Sequence, residues 1–190
     1  MSYSGPRRSA PAILTGMLLL ARGRPEGFQH FGNSTQAFLA SLAPLIAFPF
    51  VGGLLLVLKG SAIAGLVSFL ETMCVLLAQP VISEVLATWW GKGDLWLRYA
   101  TALNWCQWLM PVLASALIVI VGFMLSLGMP PNWAVPLLLA GLGGYALWLQ
   151  WFLARYGLLL SGSRAASLVV LVNLGTAALL LGPHLFTALG

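Results

Sequence analysis

The chain has 190 residues, the size of one domain, of which 60% are hydrophobic and 7% charged. An ordinary soluble domain is about a quarter charged, so this composition excludes a soluble enzyme or binding module and describes a membrane protein. The net charge is +5, but the basic residues lie in the gaps between apolar runs rather than among aromatics on a polar face, which excludes a nucleic-acid partner.

The first 35 residues form a segment of their own, expected on the cytoplasmic side. Their apolar run, Pro11 to Ala21, is flanked by Arg7 and Arg8 before it and by Arg22 and Arg24 after it. It is too short to span a bilayer, which takes about 20 helical residues. A secretory or twin-arginine signal peptide is one alternative, but the run ends at once in Arg22 and Arg24 and has no small-x-small cleavage site. An interfacial helix fits better, with Ile13, Leu14, Met17, Leu18 and Ala21 at helical spacing and arginines beside lipid phosphates. Asn33 is then placed to cap the first span, with Gln36 three residues on reaching back to it.

Residues 36–190 hold five stretches long and apolar enough to cross, near 37–58, 62–88, 100–126, 133–153 and 166–186. In lipid each segment must satisfy its own backbone polar groups, so single spans are helices and the scattered Gly and Pro do not argue otherwise. The fold class is therefore an all-α integral membrane protein, five transmembrane helices preceded by a short interfacial helix. With five spans, Arg7, Arg8, Arg22, Arg24, Lys92, Arg98, Arg155 and Arg164 share one side, and Lys59 alone falls on the other. Cytoplasmic loops carry the Lys and Arg excess, so the N-terminus is expected in the cytoplasm and the C-terminus outside. Seven of the eight tryptophans fall towards the cytoplasmic ends, as an aromatic belt requires.

The polar residues inside the spans are the candidate site. At 1.5 Å of rise per residue, Gln79, Gln107 and Asn173 each lie roughly 12 Å in from the cytoplasmic ends of spans two, three and five, so they are expected in one hydrogen-bonded layer. Pro80 and Pro111 are close to it and should kink spans two and three, freeing carbonyls that the amides could satisfy. Glu71 is some 15 Å below the outer end of span two, near mid-membrane. An ionised carboxylate costs at least about 2.5 kcal/mol there, so the neutral acid is the simpler state, and the residue is either a proton or cation site or a packing acid bonded to a neighbouring helix. Glu84, near the cytoplasmic interface, is expected to anchor through an ion pair with Lys92 or Arg98.

Chemistry finds no motif. There is no H-E-x-x-H, G-x-S-x-G or P-loop, and the two cysteines, Cys74 and Cys106, sit in apolar runs where neither a disulfide framework nor a metal quartet can form, so no cofactor or metal is expected. "GLGGYA" from Gly141 lies inside a span and is a close-packing face, like the small-xxx-small pairs Ala140 with Gly144, Ser61 with Gly65 and Ala43 with Ala47. Short loops leave little soluble surface, so the partners expected are membrane lipids and another membrane protein or a second copy. The leading expectation is a non-enzymatic protein acting through helix-helix contacts, as scaffold, assembly factor or accessory subunit. The alternative is a small transporter or channel built around Glu71 and the amide layer.

"LLARGRPEGFQHFGNSTQAFLASLAPLIAFP", with its short aliphatic helix, Arg-Gly turn, Phe pair and Phe/Ser-rich opening of the first span, resembles the start of small proteobacterial membrane proteins. The layout of an amphipathic N-terminal helix and five spans also resembles the Yip1-like superfamily. These resemblances imply a five-span architecture in a bacterial inner membrane, which puts the C-terminus in the periplasm, and no reaction or catalytic residues. For the orientation, a reporter active only in the cytoplasm, fused after Gly190, is expected to give no signal, and full activity there contradicts the five-span topology.

Overall fold

The structure, a computed structural model, describes residues 10–189, with side chains to residue 181. Arg7, Arg8 and the side chain of His184 lie outside the described residues. The chain runs α1 (Ala10–Ala21), a 3₁₀ turn (Pro25–His30), α2 (Thr35–Leu58), α3 (Ala62–Trp89), α4 (Gly93–Cys106), α5 (Leu109–Ser126), a second 3₁₀ turn (Pro131–Trp133), α6 (Ala134–Gly157) and α7 (Gly162–Leu189). Helices α2, α3, α6 and α7 each have the length and apolarity to cross a membrane, as do α4 and α5 taken together. The protein is a polytopic helical membrane protein with five spans and a short helix before them.

The third span departs from the sequence expectation. It begins at Gly93 rather than near residue 100, and it breaks at Gln107 and Trp108 into α4 and α5. Pro111 is the cause: it has no N–H for the carbonyl four residues back, that of Gln107, and its ring crowds that carbonyl. The Met110 N–H takes the Gln107 carbonyl instead at 3.1 Å, and the Trp108 N–H goes to Trp105 at 3.1 Å. The backbone thus tightens from α to 3₁₀ across the junction. Pro80 has no such effect, and α3 runs through it unbroken.

In space α2 packs on α3, α3 on α7, α7 on α6 and α6 on α5, a row of full-length helices whose ends, α2 and α5, do not pack along one another among the described residues. α4 lies inside the row, against α2, α3, α6 and α1. From Tyr99 to Asn104 every residue of α4 is buried, so this helix has no lipid-facing side. Two buried hydroxyls hold it. Ser41 of α2 donates to the Phe38 carbonyl (2.6 Å) and accepts from Asn104 Nδ2 (3.0 Å). Ser83 of α3 donates to the Pro80 carbonyl (3.0 Å) and accepts from Trp96 Nε1 (3.1 Å).

The core gathers around α4, where Tyr99, Leu103 and Cys106 meet Leu20 of α1, Phe28, Phe152, Leu153 and Leu168. It occupies the end of the bundle that carries α1, the α3–α4 turn and the α6–α7 turn, here called the basic face after Arg22, Arg24, Lys92, Arg98, Arg155 and Arg164. At the other end the helices are thinly packed: α5 buries only Val121.

α1 belongs to this core rather than lying only on the bilayer. Leu20 is fully buried and Met17 nearly so, while Leu14 and Leu18 stay exposed. A Cβ on Gly16 would come within 2.7 Å of His30 Cβ and 2.9 Å of the Phe31 ring, so the backbones of α1 and the first 3₁₀ turn approach more closely than a side chain permits. Tyr145 of α6 donates its hydroxyl to the Ala21 carbonyl at 3.0 Å, capping α1. The expected lipid-facing stripe is thus shared, its Met17 line facing protein and its Leu14 and Leu18 line facing outward.

The start of α2 also differs from expectation. Ser34, not Asn33, is the N-cap, its hydroxyl accepting from the Ala37 N–H at 3.2 Å. Asn33 reaches across to α4 instead: Nδ2 donates to the Asp94 carbonyl (3.1 Å) and Oδ1 accepts from the Arg98 N–H (3.1 Å). Those two backbone groups are four residues apart on one helix, so a single carboxamide clamps the first turn of α4 to the linker. Asn33→Ala is expected to lower stability by about 1 to 2 kcal/mol, two hydrogen bonds' worth, in thermal unfolding of the detergent-solubilised protein. Gln36→Ala should change it by less than about 0.5 kcal/mol, since Gln36 is exposed and holds no cap.

Candidate functional site

Of the predicted layer, the structure joins Gln79 and Gln107 directly: Gln107 Nε2 donates to Gln79 Oε1 at 3.0 Å, linking α3 to α4. Asn173 is held elsewhere, by a partner the sequence reading did not name. Its Nδ2 donates to Gln150 Oε1 of α6 at 2.7 Å and to the Val169 carbonyl of its own helix at 2.7 Å. Because a backbone carbonyl can only accept, the Val169 contact fixes which atom of Asn173 is nitrogen, and Gln150 must then present its oxygen. Gln150 escaped notice because the fourth span was expected to end at residue 153, which puts Gln150 at the interface. α6 runs to Gly157, and the same rise per residue then places Gln150 about 10 Å inside its end.

Gln79, Gln107 and Gln150 line one cleft of about 90 Å³ together with Leu103, Cys106, Met110, Ala146 and Leu149. Asn173 is exposed and does not line it. The expected single layer is thus two pairs, and Gln107 of the first is the residue whose carbonyl Pro111 releases. Apart from the Cys106 thiol, every polar side chain lining the cleft is a neutral amide, with no carboxylate or ammonium among them. Such a set can hydrogen-bond and hold helices in register, but it cannot take up or pass on a proton near neutral pH.

Glu71 does not join this cleft. Successive residues turn about 100° around a helix, so Glu71 stands roughly half a turn from Pro80, Ser83 and Ala87, the buried residues that α3 turns toward α4. It is exposed, as are Val67, Cys74, Val81 and Val85 near the same stripe, whose Ala78 is buried, and among the described residues it has no hydrogen-bond or ion-pair partner. It is also eight residues from Gln79, about 12 Å along the axis.

The expected anchor at Glu84 is corrected. Glu84 is exposed and forms no ion pair with Lys92 or Arg98 among the described residues. Ser83 is the residue turned to α4, so Glu84, the next along, points about 100° away from the helix that carries Arg98. Lys92 is the N-cap position of α4. Arg98 has its backbone N–H on Asn33, and its Nε is buried without a partner. The α3–α4 junction is made by the main chain instead: Gly91, at φ +70°, closes α3 with the Lys92 N–H on the Ala87 carbonyl (2.8 Å) and its own N–H on Thr88 (2.9 Å).

The fold and these contacts define a five-span helical membrane protein organised on a buried half-helix. Compared with protein-family models, with curated proteins and with solved structures, the chain matches none.

If the amides act as joints, Gln150→Leu and Asn173→Leu should each cost about 0.6 to 2 kcal/mol. The double variant should cost less than the sum, because both remove one shared bond. Denaturation in mixed detergent micelles measures both, and strict additivity contradicts the pairing.

Proposed function

We propose that the protein acts through lateral helix-helix contacts in the membrane, as a scaffold, assembly factor or accessory subunit with no enzymatic activity of its own. The observation that carries this reading is the position of Glu71: near the middle of a span, on the outward stripe of α3, with no partner among the described residues. Facing hydrocarbon alone, the carboxyl loses its hydrogen bonds whether it is ionised or neutral, and an ionised one costs at least about 2.5 kcal/mol. A neighbouring polypeptide that offers a donor or acceptor at that depth removes the cost. No described residue supplies it, which supports a partner outside the chain.

The transporter alternative needs Glu71 and the amides to share a path, and the cleft that holds Gln79, Gln107 and Gln150 does not include Glu71. That geometry favours contact over conduction. The grouping of described Arg and Lys on the basic face supports an orientation with that face in the cytoplasm.

Blue-native electrophoresis after mild detergent extraction is expected to show the protein in a species larger than the monomer. Glu71→Leu should shift it toward monomer while leaving its thermal stability unchanged. A wild type that is monomeric, with no co-purifying protein, contradicts the reading.

A further inference from the structure

We infer that the partner of the Glu71 stripe is a second copy of the same chain, its Glu71 carboxyl bonded reciprocally to the first across a two-fold axis normal to the membrane. This rests on the reading above that the protein works through lateral contacts. A neutral carboxyl offers one O–H donor and one carbonyl acceptor, so two of them facing each other satisfy both groups with a pair of O–H···O bonds. No other side chain type is needed on the partner. Copies of one membrane protein insert with the same orientation, so a two-fold pair meets residue for residue at equal depth, as a self-complementary interface requires.

The local surroundings fit that use. Two hydroxyls of α3 lie within a turn of Glu71: that of Thr72 donates to the Ser68 carbonyl at 2.8 Å, and that of Ser68 forms no hydrogen bond to Glu71 among the described residues. Ala64 and Cys74, the exposed residues two turns before and one turn after Glu71, are small enough to let two α3 axes approach. Ser83 and Ala87 are turned well away from the stripe, and Ala78, two turns after Glu71, lies in it and is buried, so the pairing uses the outer half of α3, Ala64 to Cys74, and leaves the core around α4 undisturbed. Cys74 then meets Cys74 of the partner copy near the axis, whereas Cys106 is buried in its own chain.

Copper–phenanthroline oxidation of the wild-type protein in native membranes reads this arrangement directly. The expected product is a disulfide-linked dimer on non-reducing gels, absent from Cys74→Ser. Glu71→Gln, whose amide also donates and accepts, should keep the dimer, while Glu71→Leu should lower the cross-linking rate about tenfold. A large blue-native species with no Cys74 link overturns the second-copy inference and leaves lateral contact with another protein standing. A monomer by both methods removes both readings. Equal linking in Glu71→Leu and wild type overturns the role given to Glu71.

Discussion

A single missing N–H organises this bundle. Pro111 cannot donate to the Gln107 carbonyl, so the third span stops being one helix at that point and becomes α4 and α5. The consequence is an element that a five-span count does not reveal, a half-length helix buried from Tyr99 to Asn104 without a gap. Once α4 has no lipid side, its polar groups need partners within the protein. Ser41 and Ser83 provide them from α2 and α3, each hydroxyl donating to its own helix and accepting from α4. The aromatic and aliphatic core then collects around α4 at the basic face, and α1 completes it by laying Met17 and Leu20 against the same cluster.

The same constraint divides the polar residues into two kinds. Gln79, Gln107 and Gln150 are half-buried and Asn173 is exposed, and they bond in two pairs, one tying α3 to α4 and the other α6 to α7. Glu71, on the far side of α3, meets nothing in the chain among the described residues. In water an exposed glutamate asks for no explanation. At the middle of a membrane-spanning helix it does, because lipid tails neither donate nor accept. What α3 turns toward α4 holds the fold, and Glu71 lies on another face of the same helix.

Much of this was legible in the sequence. Length and hydropathy place all five spans, because bilayer thickness and backbone hydrogen bonding leave little choice. The rise per residue brought Gln79 level with Gln107. Other features were hidden for physical reasons. An apolar stripe reads the same whether protein or lipid covers it, so α1 passed as an interfacial helix although Leu20 is fully buried. A misplaced end of span four hid Gln150. Asn33 carries an N-cap signature, yet its clamp on Asp94 and Arg98 spans more than sixty positions of sequence, and only the folded chain brings them together. Ser41, Ser83, Trp96 and Asn104 carried no periodic or motif signal, since their importance comes from α4 being buried.

That burial is the centre of the structure, and the native Cys106 thiol reports on it without mutation. Membranes treated with lipid-permeant N-ethylmaleimide, with the modified peptides read by mass spectrometry, compare Cys106 in the folded protein with the same thiol after denaturation. Cys106 is 1% exposed in the core cluster, so it should stay unmodified until the protein unfolds. Rapid modification in native membranes would mean that α4 faces lipid as an ordinary span and that the bundle is not built around it.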